Sequence, residues 1–413
     1  MAERVLIVGG GGREHALAAK LAESPFVDEI YVAPGNAGTL EIGANVPLQA
    51  TDIQGLANFA MSQAIDLTVV GPDDPLALGI VDEFQARNLR IFGPTRAAAQ
   101  LESSKSWAGD FMARHGVPHG ELRSFDTADQ ALAALDVNAF VVKEDGLAKG
   151  KGVEAGFDVK KAADKIREIA NTRNKIVFQE RLYGKELSVT AICDGHDYAL
   201  FPHTRDHKRR NNGNEGPNTG GMGVYGPIDK VDAEVSARIE QEIIQPTLEG
   251  MRSEGNPFSG VLYLNLMLTE GGPKVIEYNA RFGDPEAQVL TMLLESDIYP
   301  LLRLATVGRL ADLTKPKFSQ SYCVSVALVT AGYPDSLTGS GAEIIGLEDD
   351  RDITVFHGNT SRYSGRIIAE AGRVLHVAAR AETLSMARNR VYSQIGDQAL
   401  RFAQMHYRTD IAE

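Results

Sequence analysis

The stretch VIEYNARFGDPEAQ, residues 275 to 288, begins as a buried strand and then stops behaving like one. After Val275 and Ile276 come Glu277, Asn279, Arg281 and Asp284, more charge and amide than a hydrocarbon core accepts. Side chains alternate faces along a strand, so Val275, Glu277 and Asn279 are expected on one face and Lys274, Ile276 and Tyr278 on the other. Two oxygen donors side by side suit magnesium, which takes one or two protein ligands and completes its shell with water and substrate phosphates. The competing reading is a solvent-facing strand end with unrelated polar residues. Arg281 can clamp a carboxylate or stabilise a transferring phosphoryl group.

A cation at this strand calls for phosphates, and AFVVKEDGLAKGKGV, residues 139 to 153, can hold them. Lys143 ends a strand there, and Lys151 lies in a turn made by Gly146, Gly150 and Gly152. Glycines let backbone N–H groups approach phosphate oxygens, and lysines add point charges. No GKS or GKT follows, so this is not a Walker loop, and a hairpin with exposed lysines is the alternative. Further on, FQERLYGKE reads as a strand entering a connector. There Gln179 to Leu182 can offer backbone groups to a base and Glu186 can reach ribose hydroxyls.

Working back to the start, RVLIV (4–8), EIYVAPG (29–35), DLTVVGP (66–72) and RIFGP (90–94) read as strands. They alternate with helical patterns at 13–24, 51–63 and 75–88, which predicts a parallel, doubly wound sheet. GGGGREHA after the first strand fails the dinucleotide fingerprint. Counting from Gly9 or Gly10, the third glycine would fall on Glu14 or His15, and no acidic residue ends the second strand. Two readings stay open for this loop: backbone amides beside Arg13 that bind a phosphate, or a plain tight turn.

A helix in SSKSWAGDFMARHGVP, residues 103 to 118, opens a new domain, capped by Ser103 or Ser104 and stopped by Gly116 and Pro118. Closely spaced strands with one helix near 159 to 171 follow, then a helix around 231 to 253 and the strands GVLYLNLMLTE and PKVIEYN. From about 320, short strands precede a helix near 382 to 396. The fold class is therefore α/β and α+β multidomain. The segment 206 to 227 has five glycines between 213 and 223 and reads as a functional loop, ordered or mobile.

At 413 residues with 43% hydrophobic and 23% charged content, the chain suits two to four soluble domains. Its net charge of -13 argues against general nucleic-acid or anionic-membrane binding. Cys193 and Cys323 are far apart, which fits a reducing cytoplasm and supports neither disulfides nor structural zinc. No export signal or membrane span is expected.

These pieces resemble the ATP-grasp superfamily, and within it the phosphoribosylamine-glycine ligase family. The matching text is VGGGGREHAL, APGNAGT, VGPDDPL, IFGPT, DGLAKGKGV, DHKR, GPNTGGMG, VIEYNARFGDPE and GRVLHV, in family order and spread over essentially the whole chain. The resemblance implies an N-terminal domain over 1–102, an ATP-grasp domain over 103–315 with 120–190 as a mobile lid, and a small C-terminal α+β domain over 316–413. It implies ATP contacts at Lys105, Lys143, Gly150, Lys151, Gly152 and Glu186, with adenine at the backbone near Glu180 and Leu182. Glu277 and Asn279 look like the ligands of Mg2+, with Mn2+ as the alternate cation.

Gly11, Gly12, Arg13, Glu14, Asn36 and Asp74 resemble the pocket for 5-phosphoribosylamine. Asp206, His207, Lys208, Thr219, Gly220, Gly221 and Arg281, with Asp284 as a further substrate contact, resemble the place where glycine and the transferred phosphoryl group meet. A lone histidine is usually structural, so His207 is given no proton-transfer role. The implied reaction joins glycine to the amine through glycyl phosphate at the expense of ATP, in purine biosynthesis. A related carboxylate-amine ligase or carboxylase with another acceptor is the alternative. GPNTGGMG and GLAKGKG are the expected lids. The resemblance also implies a monomer, in transient contact at most with the enzyme that supplies the unstable amine.

The chain departs from the family at Glu144 and Lys149, where small residues are usual, and at Asn265, where relatives often have glycine. Asn265 either adds a weak oxygen ligand or packs, and packing is favoured because amides bind Mg2+ poorly.

Overall fold

The computed structural model describes residues 3–147, 153–172, 174–229, 231–335, 341–347, 352–396 and 399–413. Lys149, Gly150, Lys151 and Gly152 lie outside the described residues.

The apolar runs near the N-terminus pair as a five-stranded parallel sheet in the order Ala44–Asn45, Val27–Pro34, Glu3–Gly9, Leu67–Val70, Ile91–Phe92. Val5, Leu6, Ile7 and Val8 have no exposed surface, as a strand covered on both faces requires. The helical pattern at 75–88 is two helices, Asp73–Leu78 and Ile80–Ala86, because Gly79 takes φ +90° between them. The helix Lys105–His115 starts where the Ser104 side chain accepts the Trp107 N–H, and ends at Gly116 with φ +66°.

Two antiparallel sheets then face each other across a cleft. One has the order Leu122–Phe125, Ile176–Glu180, Phe140–Glu144, Val153–Glu154, backed by the helix Val159–Ala170. The other runs Tyr198–Leu200, Lys185–Asp194, Ser259–Thr269, Gly272–Asn279. They are tied where Gln179 Nε2 donates to the Ile276 carbonyl at 2.9 Å.

That contact marks a correction to the simple alternation of faces. The register of Gly272–Asn279 against Ser259–Thr269 shifts at Ile276: Asn265 pairs with Glu277, but Leu266 pairs with Val275. Val275 and Tyr278 consequently share one core, while Ile276 and Glu277 line the cleft between the sheets and Asn279 lines an adjoining one that Tyr278 also borders. One extra residue re-aims the side chains that follow it.

A last sheet runs Arg205–Asp206, Gly223–Gly226, Tyr322–Thr330, Arg373–Ala381, Thr354–His357, with Met405–His406 also pairing Tyr322–Thr330. Its first two strands come from the glycine-rich segment. The end of that segment is laced into the ladder: Met222 is fully buried, Gly220 N–H donates to Tyr333 Oη at 2.9 Å, and Arg373 Nη1 donates to the Gly220 carbonyl at 2.6 Å, while Arg209–Asn211 and Glu215–Asn218 pair as a separate hairpin. Two helices are absent from the sequence reading: Glu286–Leu293 packs between this sheet and the helix Gly12–Ala22, and Ile298–Ala305 packs between the N-terminal sheet and the strand Lys185–Asp194.

Candidate active site

Two clefts meet in the middle of the molecule. The larger, about 810 Å³, lies between the two facing antiparallel sheets and is bordered by Glu180, Leu182 and Glu186. The smaller, about 480 Å³, runs toward the N-terminal sheet past Arg13, Asp74, Glu102 and Arg281. Lys143, Asp206, Lys208, Thr219, Asn265 and Glu277 line both. Both volumes are in the range of small-molecule sites.

At this junction Glu277 is held by two donors. Asn265 Nδ2 donates to Glu277 Oε1 at 2.6 Å, and Lys208 Nζ donates to the same oxygen at 3.2 Å. Burial favours the protonated acid, but Lys208, Lys143 and Lys105 outweigh it and keep this carboxyl well below the usual carboxylate range. Burial also pulls the Lys143 ammonium down to about 8; Glu277 opposes that pull, and Lys105 and Lys208 add to it. Lys105 Nζ donates to the Gly146 carbonyl at 2.7 Å, just past the strand Phe140–Glu144. Its backbone N–H donates to Asp145 Oδ1 at 2.6 Å, so Asp145 ties the end of that strand to the start of the helix.

Asn265 does more than fill space. Its Oδ1 accepts the Tyr263 hydroxyl at 2.7 Å while its Nδ2 holds Glu277, so both ends of the amide are committed. Asn279 Oδ1 accepts Arg281 Nη2 at 2.9 Å. Burial, reinforced by the neighbouring Glu286, pushes the Asp206 carboxyl well above the usual range. Its buried Oδ1 has no hydrogen-bond partner among the described residues. His207 is stitched into the ladder, its N–H donating to the Gly223 carbonyl at 2.9 Å. Burial and then the nearby Arg408 bring its pKa down to about 4, which agrees with a neutral, structural side chain.

The N-terminal loop is more internally committed than its sequence suggested. Glu14 Oε2 accepts the Gly11 N–H at 2.6 Å, and Glu14 Oε1 accepts Arg13 Nε at 2.6 Å. A carboxylate thus already sits at this helix start, where a phosphate was one of two expectations. Gly9 and Gly71 make room for it: a Cβ on Gly71 would lie 2.0 Å from Glu14 Oε1, and Gly9 has φ +122° besides. Asn36 donates to the Gly10 and His357 carbonyls and accepts from Gly38 and Thr39, so its amide holds the loop in place. Arg13 and Asp74 do line the smaller cleft. Asp284 accepts Arg373 Nη2 and Gln288 Nε2, each at 2.8 Å, tying the strand Arg373–Ala381 to the start of the helix Glu286–Leu293 at the cleft wall.

Three family models cover most of the chain: "Phosphoribosylglycinamide synthetase, N domain" over residues 3–102, its "ATP-grasp (A) domain" over 103–287, and its "C domain" over 323–413. The chain belongs to the phosphoribosylglycinamide synthetase family. It is 43% identical, over 98% of its length and 97% of the relative's, to the phosphoribosylamine-glycine ligase of Caulobacter vibrioides. Identity to the Vibrio cholerae enzyme of the same name is 43%, over 99% of this chain and 97% of that one. The crystal structure of phosphoribosylamine-glycine ligase from Thermotoga maritima superposes with a TM-score of 0.84 at 32% identity, covering 99% of this chain and 100% of that one.

Several side chains at the heart of this phosphoribosylglycinamide synthetase fold escaped the sequence reading. Arg373 belongs to GRVLHV, a motif noted but given no role, and it grips Asp284 and the Gly220 carbonyl. Glu286 sits in the opening motif, is buried, and accepts the Tyr263 hydroxyl at 2.7 Å. Glu102 ends the linker to the N-terminal sheet, and its burial pushes the carboxyl up to about 7 against the pull of Arg281. Each lies in a stretch whose local pattern signals only helix or strand; its partner is distant in sequence.

Proposed function

We propose that the chain ligates glycine to 5-phosphoribosylamine, forming glycinamide ribonucleotide, ADP and phosphate as a step of purine biosynthesis. The observation that carries this reading is the junction itself: a nucleotide-sized cleft and a second polar cleft meet at Lys143, Lys208 and Glu277. The family membership supports it. In this reading the larger cleft holds ATP, with adenine by Glu180 and Leu182, and the smaller holds glycine and the amine.

The carboxylate oxygen of glycine attacks the γ-phosphorus and ADP leaves. The amine then attacks the acyl carbon of glycyl phosphate, a C–N bond forms, and phosphate departs as the nitrogen gives up a proton. Lys143 and Lys208 neutralise phosphate charge, and Arg281 orients the reacting carboxylate and phosphoryl group. Such a reaction needs no enzyme nucleophile. Glu277, kept ionised by its lysine neighbours, and Asn279 form a hard oxygen pair on one side of the strand, a donor set that suits Mg2+ or Mn2+. A cation held there supplies further neutralisation of the phosphates.

Among the described residues, no helix is long and apolar enough to cross a membrane. The reading includes a cytoplasmic monomer with functional units at 1–102, 103–315 and 316–413, and residues 120–190 moving as a lid. The test is ADP release with Mg-ATP, glycine and freshly prepared phosphoribosylamine. Release should depend on both co-substrates, and release that ignores either one refutes the assignment. Glu277→Ala should abolish it while leaving the fold intact.

A further inference from the structure

The short helix Gln100–Ser103 carries a buried carboxylate to the end of the strand Gly272–Asn279. Glu102 Oε2 accepts the Ala280 N–H at 2.7 Å, across 178 residues of sequence. Its other oxygen, Oε1, meets Arg281 Nη2 at 2.7 Å, with the two side chains 8% and 17% exposed. The same Arg281 nitrogen donates to Asn279 Oδ1 at 2.9 Å. A single carboxylate therefore grips the peptide between Asn279 and Arg281 and, at the same time, the guanidinium that follows it. Arg281 faces the smaller cleft, where its Nε has no hydrogen-bond partner among the described residues.

We propose that Glu102 is the positioning residue for Arg281 in the ligation reaction, fixing the guanidinium relative to Asn279 and Glu277. The inference rests on the ligase reading, in which Arg281 meets the reacting carboxylate and phosphoryl group. Arginine is a long, flexible side chain whose planar fork is useful only when aimed. Within a cleft it also needs a counter-charge. Glu102 supplies aim and charge together from the wall of the smaller cleft. Because it belongs to the segment that links the N-terminal sheet to the helix Lys105–His115, it also makes the geometry of Arg281 depend on the packing of that linker.

The test is a double-mutant cycle in the full-length chain, combining Glu102→Gln with Arg281→Ala. Glutamine keeps the shape and can still accept the Ala280 N–H, but loses the charge that holds the guanidinium. Glu102→Gln should lower kcat by about 10- to 100-fold, the scale of a small misplacement of a reacting group, with the KM for ATP changed less than about twofold. In the Arg281→Ala background the same change should alter kcat by less than about twofold, because the group it positions is gone. Glu102→Asp, which keeps the charge at a shorter reach, should recover part of the lost kcat. Multiplicative losses in the double variant, unchanged kcat in Glu102→Gln, or a rise confined to the KM for ATP would overturn the inference. Failure of both Glu102 variants to bind ATP by calorimetry would also overturn it, since the contact would then be structural alone. An unmodified chain that releases no ADP with both co-substrates sinks the ligase reading and this inference with it; an active chain with a multiplicative cycle sinks only this inference.

Discussion

Replacing Asn265 by leucine removes both hydrogen bonds of its amide and tests how far the one to Glu277 orients that carboxylate. Asn265 is 4% exposed, and leucine is similar in size, so the strand pairing should survive. The Tyr263 hydroxyl is not stranded by the change, because Glu286 Oε1 already lies 2.7 Å away. What disappears is the 2.6 Å bond from Nδ2 to Glu277 Oε1. A hydrogen bond to a charged acceptor contributes about 1.5–3 kcal/mol. The Glu277 side chain is 31% exposed and keeps its contact with Lys208, which places the loss near the lower end. About 1.5 kcal/mol corresponds to about a tenfold change in an equilibrium constant. The Mg2+ concentration giving half-maximal ADP release should therefore rise about tenfold in Asn265→Leu, with little change in the unfolding midpoint. Asn265→Asp is the complementary probe. It sets a second carboxylate against Glu277, so it should lower the midpoint without Mg2+ and recover when Mg2+ is added. If Asn265→Leu needs no more Mg2+ than the unmodified chain, Asn265 does not orient Glu277 and the reasoning fails.

Three further outcomes follow from the same geometry. Burial brings Lys143 down to about 8, so its charge is lost in the free protein as pH rises through that value. ATP affinity should fall between about pH 7 and 9, with proton uptake on binding near pH 8 by calorimetry in buffers of different ionisation enthalpy; Lys143→Met should abolish that uptake. At the seam between the helix Gly12–Ala22 and the Thr354–His357 strand, His357 N–H donates to His15 Nδ1 at 2.8 Å. Burial, and for His15 also the neighbouring His357, brings their pKa values down to about 3 and about 4. This neutral pair adds stability that is fully present above the unfolded value of about 6.5 and lost as pH falls from there toward 3–4. His15→Gln should reduce the acid slope of unfolding free energy by up to about 1.4 kcal/mol per pH unit, read from denaturant titrations between pH 6 and 4. Finally, a Cβ on Gly12 would lie 2.6 Å from both Gln288 Nε2 and His376 Cδ2, so Gly12→Ala should cost about 1–3 kcal/mol in chemical denaturation; an unchanged midpoint would mean that these neighbours yield freely.

Local chemistry was legible wherever it repeats over short distances. The parallel sheet followed from apolar runs alternating with helical patterns, and the capped helix Lys105–His115 from Ser104 and Gly116. The spacing of Glu277 and Asn279 was enough to place both on the cleft side. The helix near 75–88 was less legible, because a single glycine with positive φ divides it.

The sequence alone determined the class of most segments, the oxygen pair on Gly272–Asn279 and the family. Periodicity, caps and motifs depend on neighbours within a few residues, and a linear reading contains those neighbours. Only the tertiary structure decided that a register shift puts Ile276 beside Glu277, that part of the glycine-rich segment is laced into the last sheet, and that Asn265 holds Glu277. It likewise decided that Glu102 reaches Arg281 and that Arg373 reaches Asp284. These are contacts between buried charges far apart in the chain. The need of each for a partner is visible in its side chain, but which partner satisfies it is set by how the sheets pack.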